Sequence, residues 1–422
     1  MSDLKGKKLL ILGGIQLSNN IIDSCRKQGV HTIVADYLPD SPAKKNADES
    51  YLVSTTDVDA VVKLGQELQV DGIFTNYMDS MMTYCAQAAQ RLGLPYYATE
   101  EQIAITTDKR RFKDCCAANG VPTVTEYAYE TGSRDFRQFT YPVIVKPVDS
   151  SGGKGISVCG SAEEFPAAYE KALSFSKQKK IIVERYMTGD EVCIYYVVQD
   201  GEISFSAMCD RNTCHEQEDV AQVPTAYIFP SKYLDMYCAT ADASVRRMLR
   251  AMGIQNGVVF LQAFADERQV YMYEMAFRFA GAQEYRIIRA NSGYDLMDMM
   301  VRHALTGKMT GCRVAELADP HFAGAACKLT PIVRPGRIAR IIGLEDVKKL
   351  PQVTDVVNVH EEGDVLDKPG TLDQLLTRIF IKAGDRNELA DVIDRVYDMV
   401  HVYDEDGNEM LCGRFDTDQI RA

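Results

Sequence analysis

The chain has 422 residues, with 47 lysines and arginines against 60 aspartates and glutamates, and the net charge of −13 argues against nucleic acid or an anionic membrane as its main partner. At this length roughly two to four domains are expected, each with a sizeable core. No apolar run is long enough to span a membrane, and Met1 to Lys8 leads straight into a strand with no cleavage-site pattern, so a cytoplasmic location is expected.

Lys8 to Leu12 reads as a continuous apolar strand, Gly13-Gly14 as a tight turn, Leu17 to Gln28 as an amphipathic helix and His31 to Ala35 as a second strand ended by Asp36. This is a βαβ opening. The glycines and Asp36 resemble a dinucleotide-binding unit, but Gly-x-Gly-x-x-Gly is absent. Further units follow: strands at Tyr51–Val53 and Gly72–Thr75, helices at Val58–Leu68 and through Ala89, then Leu94-Pro95. From Asp108 the pattern changes to a helix, Lys109 to Asn119, stopped by Gly120 and Pro122.

Val143-Ile144-Val145 predicts a buried strand that delivers Lys146 and then breaks at Pro147 into a glycine-rich turn, Ser150-Ser-Gly-Gly-Lys-Gly155, before Ile156 to Val158 resumes extended structure. Glycines at 152, 153 and 155 let exposed N–H groups approach a ligand closely, which suits phosphate. An ordinary surface hairpin has the same composition. A lysine inside an apolar strand, however, needs an anionic partner. A Walker A loop is excluded because Lys154 is followed by Gly155 and a strand, not by Ser or Thr at a helix start.

Ala162 to Lys177 predicts a helix. Ile181 to Val183 predicts a strand running into Glu184-Arg185-Tyr186-Met187, Glu191 to Val198 a further strand turning at Asp200-Gly201, and Ala239 to Met252 a helix. Val258–Ala265 and Val270–Phe277 form a hairpin; if it is symmetric about Arg268, Gln262 faces Glu274 across the sheet. Two side-chain oxygens on one face suit a hard cation such as Mg²⁺, and a cross-strand pair on a solvated face is the alternative. Arg278 lies on the same alternating face. From about Ala315 the pattern becomes α+β: strands at Phe322–Leu329, Gly336–Ile342, Val353–His360 and Arg378–Ala383, with a helix at Asn387–Val400. Twelve cysteines lack Cys-x-x-Cys spacing, and adjacent Cys115 and Cys116 cannot easily bridge each other. Reduced thiols are expected, with neither zinc nor a disulfide framework.

In this order the motifs resemble the ATP-grasp superfamily of carboxylate–amine ligases. The resemblance implies an α/β and α+β multidomain fold: a Rossmann-like pre-ATP-grasp domain (1–106), an ATP-grasp lid or N-terminal subdomain (107–190), an ATP-grasp C-terminal subdomain (191–314) and a C-terminal α+β domain (315–422). It implies ATP and Mg²⁺ as cofactors. Lys109 and Lys146 would hold phosphates, and Ser150, Ser151, Gly152, Gly153, Lys154 and Gly155 would form a lid. Glu184, Arg185, Tyr186 and Met187 would make the adenine hinge, Glu191 would meet the ribose, Gln262 and Glu274 would bind metal, and Arg278 would steady the γ-phosphate and an acyl phosphate. Ala276 departs from the family's Glu-x-Asn-x-Arg pattern and leaves a second metal without its ligand. The C-terminal part is similar to L-amino-acid ligases, and the core to carbamoyl-phosphate synthetase and phosphoribosylglycinamide synthetase. The implied reaction joins a small carboxylate to an amine, with no nucleic-acid or membrane partner, and a homodimer is the candidate assembly. Arg286 and Arg289 are candidates for the substrate carboxylate, against the alternative of a solvated helix face. A carbamoyl-phosphate-synthetase-like enzyme and a nucleotide-binding protein without catalysis are the competing readings.

Overall fold

The computed structural model describes residues 3–133, 135–149, 154–213, 224–368 and 370–421. Lys8–Leu12 forms β1, and its apolar run, buried on both faces, takes a central place in a parallel sheet. Asn19–Gln28 (α1) leads to His31–Asp36 (β2), Glu49–Leu52 (β3) forms an edge, and Val58–Leu68 (α2) crosses to Gly72–Phe74 (β4). The order β3-β2-β1-β4 is parallel throughout. The Asp36 carboxylate accepts from the N–H groups of Gly14 at 2.6 Å and Leu38 at 2.8 Å, so it closes the first turn of this unit.

Asp79–Leu92 (α3), Glu100–Thr107 (α4) and Lys109–Asn119 (α5) follow. α5 starts where the sequence predicts because the Asp108 side chain accepts from the N–H groups of Arg110 and Arg111. Next comes a four-stranded antiparallel sheet of Glu126–Tyr127 (β5), Val143–Pro147 (β6), Ser157–Cys159 (β7) and Ile181–Arg185 (β8), in the order β5-β8-β6-β7, covered by Phe165–Phe175 (α6). The predicted hairpin is present, with Val143 opposite Cys159 and Val145 opposite Ser157. Beyond its tip Gly155 has φ of 78°, and a Cβ there would sit 2.7 Å from Pro147 Cγ. Only glycine lets the chain pass so close to the strand it has just left.

The largest sheet has eight strands. It is built from Asp190–Gln199 (β9), Glu202–Thr213 (β10), Pro224–Phe229 (β11), Gly257–Ala265 (β12), Val270–Ala276 (β13), Ala325–Leu329 (β14), Val353–Asn358 (β15) and Thr377–Ala383 (β16), in the order β13-β12-β9-β10-β11-β14-β16-β15. Pairing of Ala226 with Leu329 carries it without a break from the central residues into the C-terminal ones. Helices Leu234–Thr240 (α7), Asp242–Ala251 (α8), Tyr285–Ser292 (α9), Leu296–Thr306 (α10) and Arg386–Met399 (α11) pack around it.

Several expected elements differ. The helix predicted over Ala239–Met252 is two helices broken at Ala241, whose φ of −131° is not helical. The strand expected over Gly336–Ile342 divides into Gly336–Arg337 and Arg340–Ile342, which pair with different partners. β10 escapes the sequence pattern because it buries Ser204, Ser206 and Asp210 along with its apolar residues, which blurs the alternation. Among the described residues no helix is long and apolar enough to cross a membrane.

β4 packs directly on α10: a Cβ on Gly72 would lie 2.4 Å from the Ala304 carbonyl oxygen. Gly72→Ala should therefore destabilise the protein by about 1–3 kcal/mol, the usual cost of overpacking, read as a lower urea midpoint.

Candidate active site

A cavity of about 750 Å³ opens between the start of α3, the start of α5 and the β9–β12–β13 face of the large sheet. Lys109 enters from the first position of α5, Gln262 from β12, and Glu274 and Ala276 from β13, with Arg278 two residues beyond. Gln262 stands directly opposite Glu274. The predicted symmetry holds only from Phe260 to Gln262. Beyond that a bulge shifts the register, so Ala263 faces Met272 and Ala265 faces Val270. The extra residue is Tyr273, and the bulge lets Tyr273 and Glu274, neighbours in sequence, both line the cavity. The Gln262 amide nitrogen donates to Cys193 Sγ at 4.0 Å, which leaves its carbonyl oxygen for a cation. Among the described residues no group of three or more His, Cys, Asp or Glu is placed to hold a metal.

Arg278 is held by Asp79, Nε to Oδ1 and Nη2 to Oδ2 both at 2.6 Å, and its guanidinium lies 5.5 Å from the Phe260 ring centre. Asp79 opens α3, 199 positions away, and nothing local in the sequence marks it as a partner of Arg278. The pair fixes a planar cation against the cavity wall. Burial pushes the Lys109 ammonium below its ordinary range; Glu274 works against this and Lys146 adds to it, which puts Lys109 among the charges of both groups.

Lys146 is 5% exposed, and the anion that its setting demands is Glu184, 3% exposed and directly opposite Ile144 on the neighbouring strand. Lys113 contacts the other oxygen of Glu184 and lies 3.3 Å from Glu126, which in turn binds Arg110 at 2.6 Å. Lys113 was not singled out by the sequence reading, although its spacing of four from Lys109 places both on one helix face. Burial raises the Glu184 carboxyl, but Lys146 and Lys113 outweigh it and hold the group below its ordinary value of 4.5.

Other predicted residues lie elsewhere. Arg185 and Tyr186 are exposed, and Met187 is buried. Glu191 is paired with Arg211, and neither it nor Glu184 to Met187 is part of the cavity wall. Lys154 is exposed, while Ser150, Ser151, Gly152 and Gly153 lie outside the described residues. Arg286 and Arg289 do not reach the cavity. Both are gathered by Asp355 of β15, Arg289 at 3.5 Å, and Arg289 also binds Asp295 at 3.0 Å, so they line a separate, smaller pocket. The solvated helix face is also incorrect, since the Arg286 side chain is 15% exposed. Sequence reasoning missed Asp149, Lys177 and Glu284, which line the cavity from loops and a helix cap with no local motif.

Residues 108–312 match the family model for the carbamoyl-phosphate synthase L chain ATP-binding domain, just under half of the chain. A formate-dependent phosphoribosylglycinamide formyltransferase of Synechococcus sp. (strain CC9605) is 26% identical over 220 residues, 50% of this chain and 55% of the relative; the chain thus spans about half the length of the curated relatives it matches. The fold is that of phosphoribosylglycinamide synthetase from Anaerococcus prevotii (TM-score 0.75, 19% identity, 95% of this chain and 100% of that one). It is equally that of L-amino acid ligase from Bacillus licheniformis (TM-score 0.75, 18% identity, 95% and 99%). By the family-model match residues 108–312 are similar to the ATP-binding domain of the ATP-grasp superfamily, and the chain as a whole shares the fold of these enzymes.

Lys146→Met should cost about 3 kcal/mol at neutral pH by leaving Glu184 buried with one partner fewer. Because the folded pKa of Glu184 is depressed, its contribution is present above 4.5 and is lost as pH falls through the lower folded value. The gap between parent and variant in urea unfolding should therefore narrow below pH 4.5.

Proposed function

We propose that the protein is an ATP-dependent carboxylate–amine ligase that activates an amino acid or similar small carboxylate as an acyl phosphate and joins it to an amine, releasing ADP and phosphate. The observation that supports this best is the convergence of Lys109, Gln262, Glu274 and Arg278 in one cavity. In this reading Lys109, Lys146, Lys154 and Arg278 offset the triphosphate charge, and the protein contributes positioning and charge neutralisation. Ser150 to Gly155 would close over the phosphates and exclude the water that hydrolyses an acyl phosphate. Glu184 would accept from the adenine amino group while staying between its two lysines, since an ionised carboxylate offers about four acceptor sites. Met187 would back the ring, and Glu191 would turn from Arg211 to the ribose. Mg²⁺, when bound, would neutralise the β- and γ-phosphates; Glu274 and the Gln262 oxygen would hold it, and Ala276 has no ligand to add.

The division at 106, 190 and 314 is part of the same proposal, and the eight-stranded sheet joins the last two segments. The curated relatives are named for formate and phosphoribosylglycinamide, so both join the test. ADP release should be screened with amino acids singly and in pairs, with formate plus phosphoribosylglycinamide, and with bicarbonate, with mass detection of products. Substrate-dependent ADP release is expected, and none from any combination would overturn the reading. Glu274→Ala should abolish release without unfolding the protein. Lys146→Ala should weaken ATP binding roughly ten- to a hundredfold, the worth of one charge-assisted contact.

Ala276 carries a separate prediction. Ala276→Asn restores an amide oxygen beside Glu274, so the Mg²⁺ concentration for half-maximal ADP release should fall. An unchanged requirement would show that position 276 does not reach the cation.

A further inference from the structure

We infer that Glu284 is the receiving site for the ammonium group of the amine substrate, an assignment that rests on the ligase reading for its chemistry. Glu284 caps the start of α9, is 2% exposed, and lines the same cavity as Glu274 and Arg278. Its Oε2 is buried with no hydrogen-bond partner among the described residues. An orphaned carboxylate oxygen is costly to bury and is retained where a donor arrives from outside.

Two of the other acids of the cavity are engaged: Asp79 gives both oxygens to Arg278, and Asp149 accepts from Ser176 Oγ at 2.8 Å and from the Gln178 N–H at 3.0 Å; the third, Glu274, is the acid that the proposed reading assigns to Mg²⁺. The protein's own cation beside Glu284 does not fill the vacancy. Lys328 of β14, 3% exposed, lies with Nζ 4.1 Å from the Tyr227 ring centre, and among the described residues it makes no ion pair within 4 Å of Glu284. Tyr195, Tyr227, Tyr273 and Phe260 line the cavity with Glu284, and aromatic faces around a carboxylate suit a cation. Lys109 and Arg278, which line the same cavity, are the groups suited to an anion.

The groups that set the charge of Glu284 come from three strands: Lys328 on β14, Arg378 on β16 and the Tyr195 hydroxyl on β9. Burial outweighs them and holds the carboxyl above its ordinary range, and an arriving ammonium would draw it back to the ionised form. The same setting lets it take a proton. Glu284 removes one proton from the ammonium, and the freed amine lone pair attacks the acyl carbon. The C–N bond forms, the C–O bond to phosphate breaks with its electron pair on the departing phosphate, and that phosphate takes the second amine proton.

Calorimetric titration with glycinamide, a primary ammonium, and with uncharged N-acetylglycinamide tests the site without turnover. The parent should bind glycinamide and not the acetylated probe, and Glu284→Gln should bind glycinamide at least tenfold more weakly with ATP affinity unchanged. If Lys328, left without a counter-charge, prevents that variant from folding, Glu284→Gln/Lys328→Met removes both charges and should show the same loss. No glycinamide binding by the parent, equal binding by parent and variant, or equally tight binding of the acetylated probe overturns the assignment. Glu284-dependent glycinamide binding combined with a blank ADP screen would keep this site and remove the ligase reading, and ADP release without Glu284-dependent binding would do the reverse.

Discussion

The positive edge of the site depends on one buried carboxylate. Glu184 sits between Lys146 and Lys113, and Glu126 links Lys113 on to Arg110. These contacts tie α5 to three strands of the small antiparallel sheet, so the helix that presents Lys109 cannot shift without breaking buried ion pairs. Three cations surround two carboxylates, and with Lys109 adjacent the excess is positive in a chain whose overall charge is strongly negative. Local field, not net charge, decides which ligand such a cavity attracts.

The second constraint is the large sheet. Because β9, β12 and β13 are neighbours, Cys193, Tyr195, Gln262 and Glu274 line one cavity, and the bulge at Tyr273 adds a fifth strand position to it. The sheet then continues through β11 into β14 and β16, which carry Lys328 and Arg378 to the floor beneath Glu284. The cavity wall therefore combines cations and oxygen donors with aromatic faces and with Glu284, whose Oε2 has no hydrogen-bond partner among the described residues.

The N-terminal parallel sheet contributes more than a scaffold. Its helix α3 supplies Asp79, which fixes the Arg278 guanidinium in a bidentate pair, and its strand β4 is pressed against α10 at Gly72. Both contacts cross long stretches of sequence, so the geometry at Arg278 reports on how the N-terminal layer packs on the large sheet.

The sequence by itself determined the local features: the apolar run that becomes β1, the Asp108 cap that starts α5, the lysine in β6 that demanded an anion, and the hairpin that sets Gln262 opposite Glu274. Each follows from periodicity, a capping side chain or the cost of burying a charge, and all of these act within a few residues or one turn. Only the tertiary structure decided that Lys146 meets Glu184, that Arg278 is held by Asp79, that Arg286 and Arg289 turn away to Asp355, and that Glu284 lines the cavity with an oxygen to spare. Those pairings join residues tens to hundreds of positions apart. Nothing in local spacing encodes them, because a charge buried by long-range packing takes whichever partner the packing brings within reach.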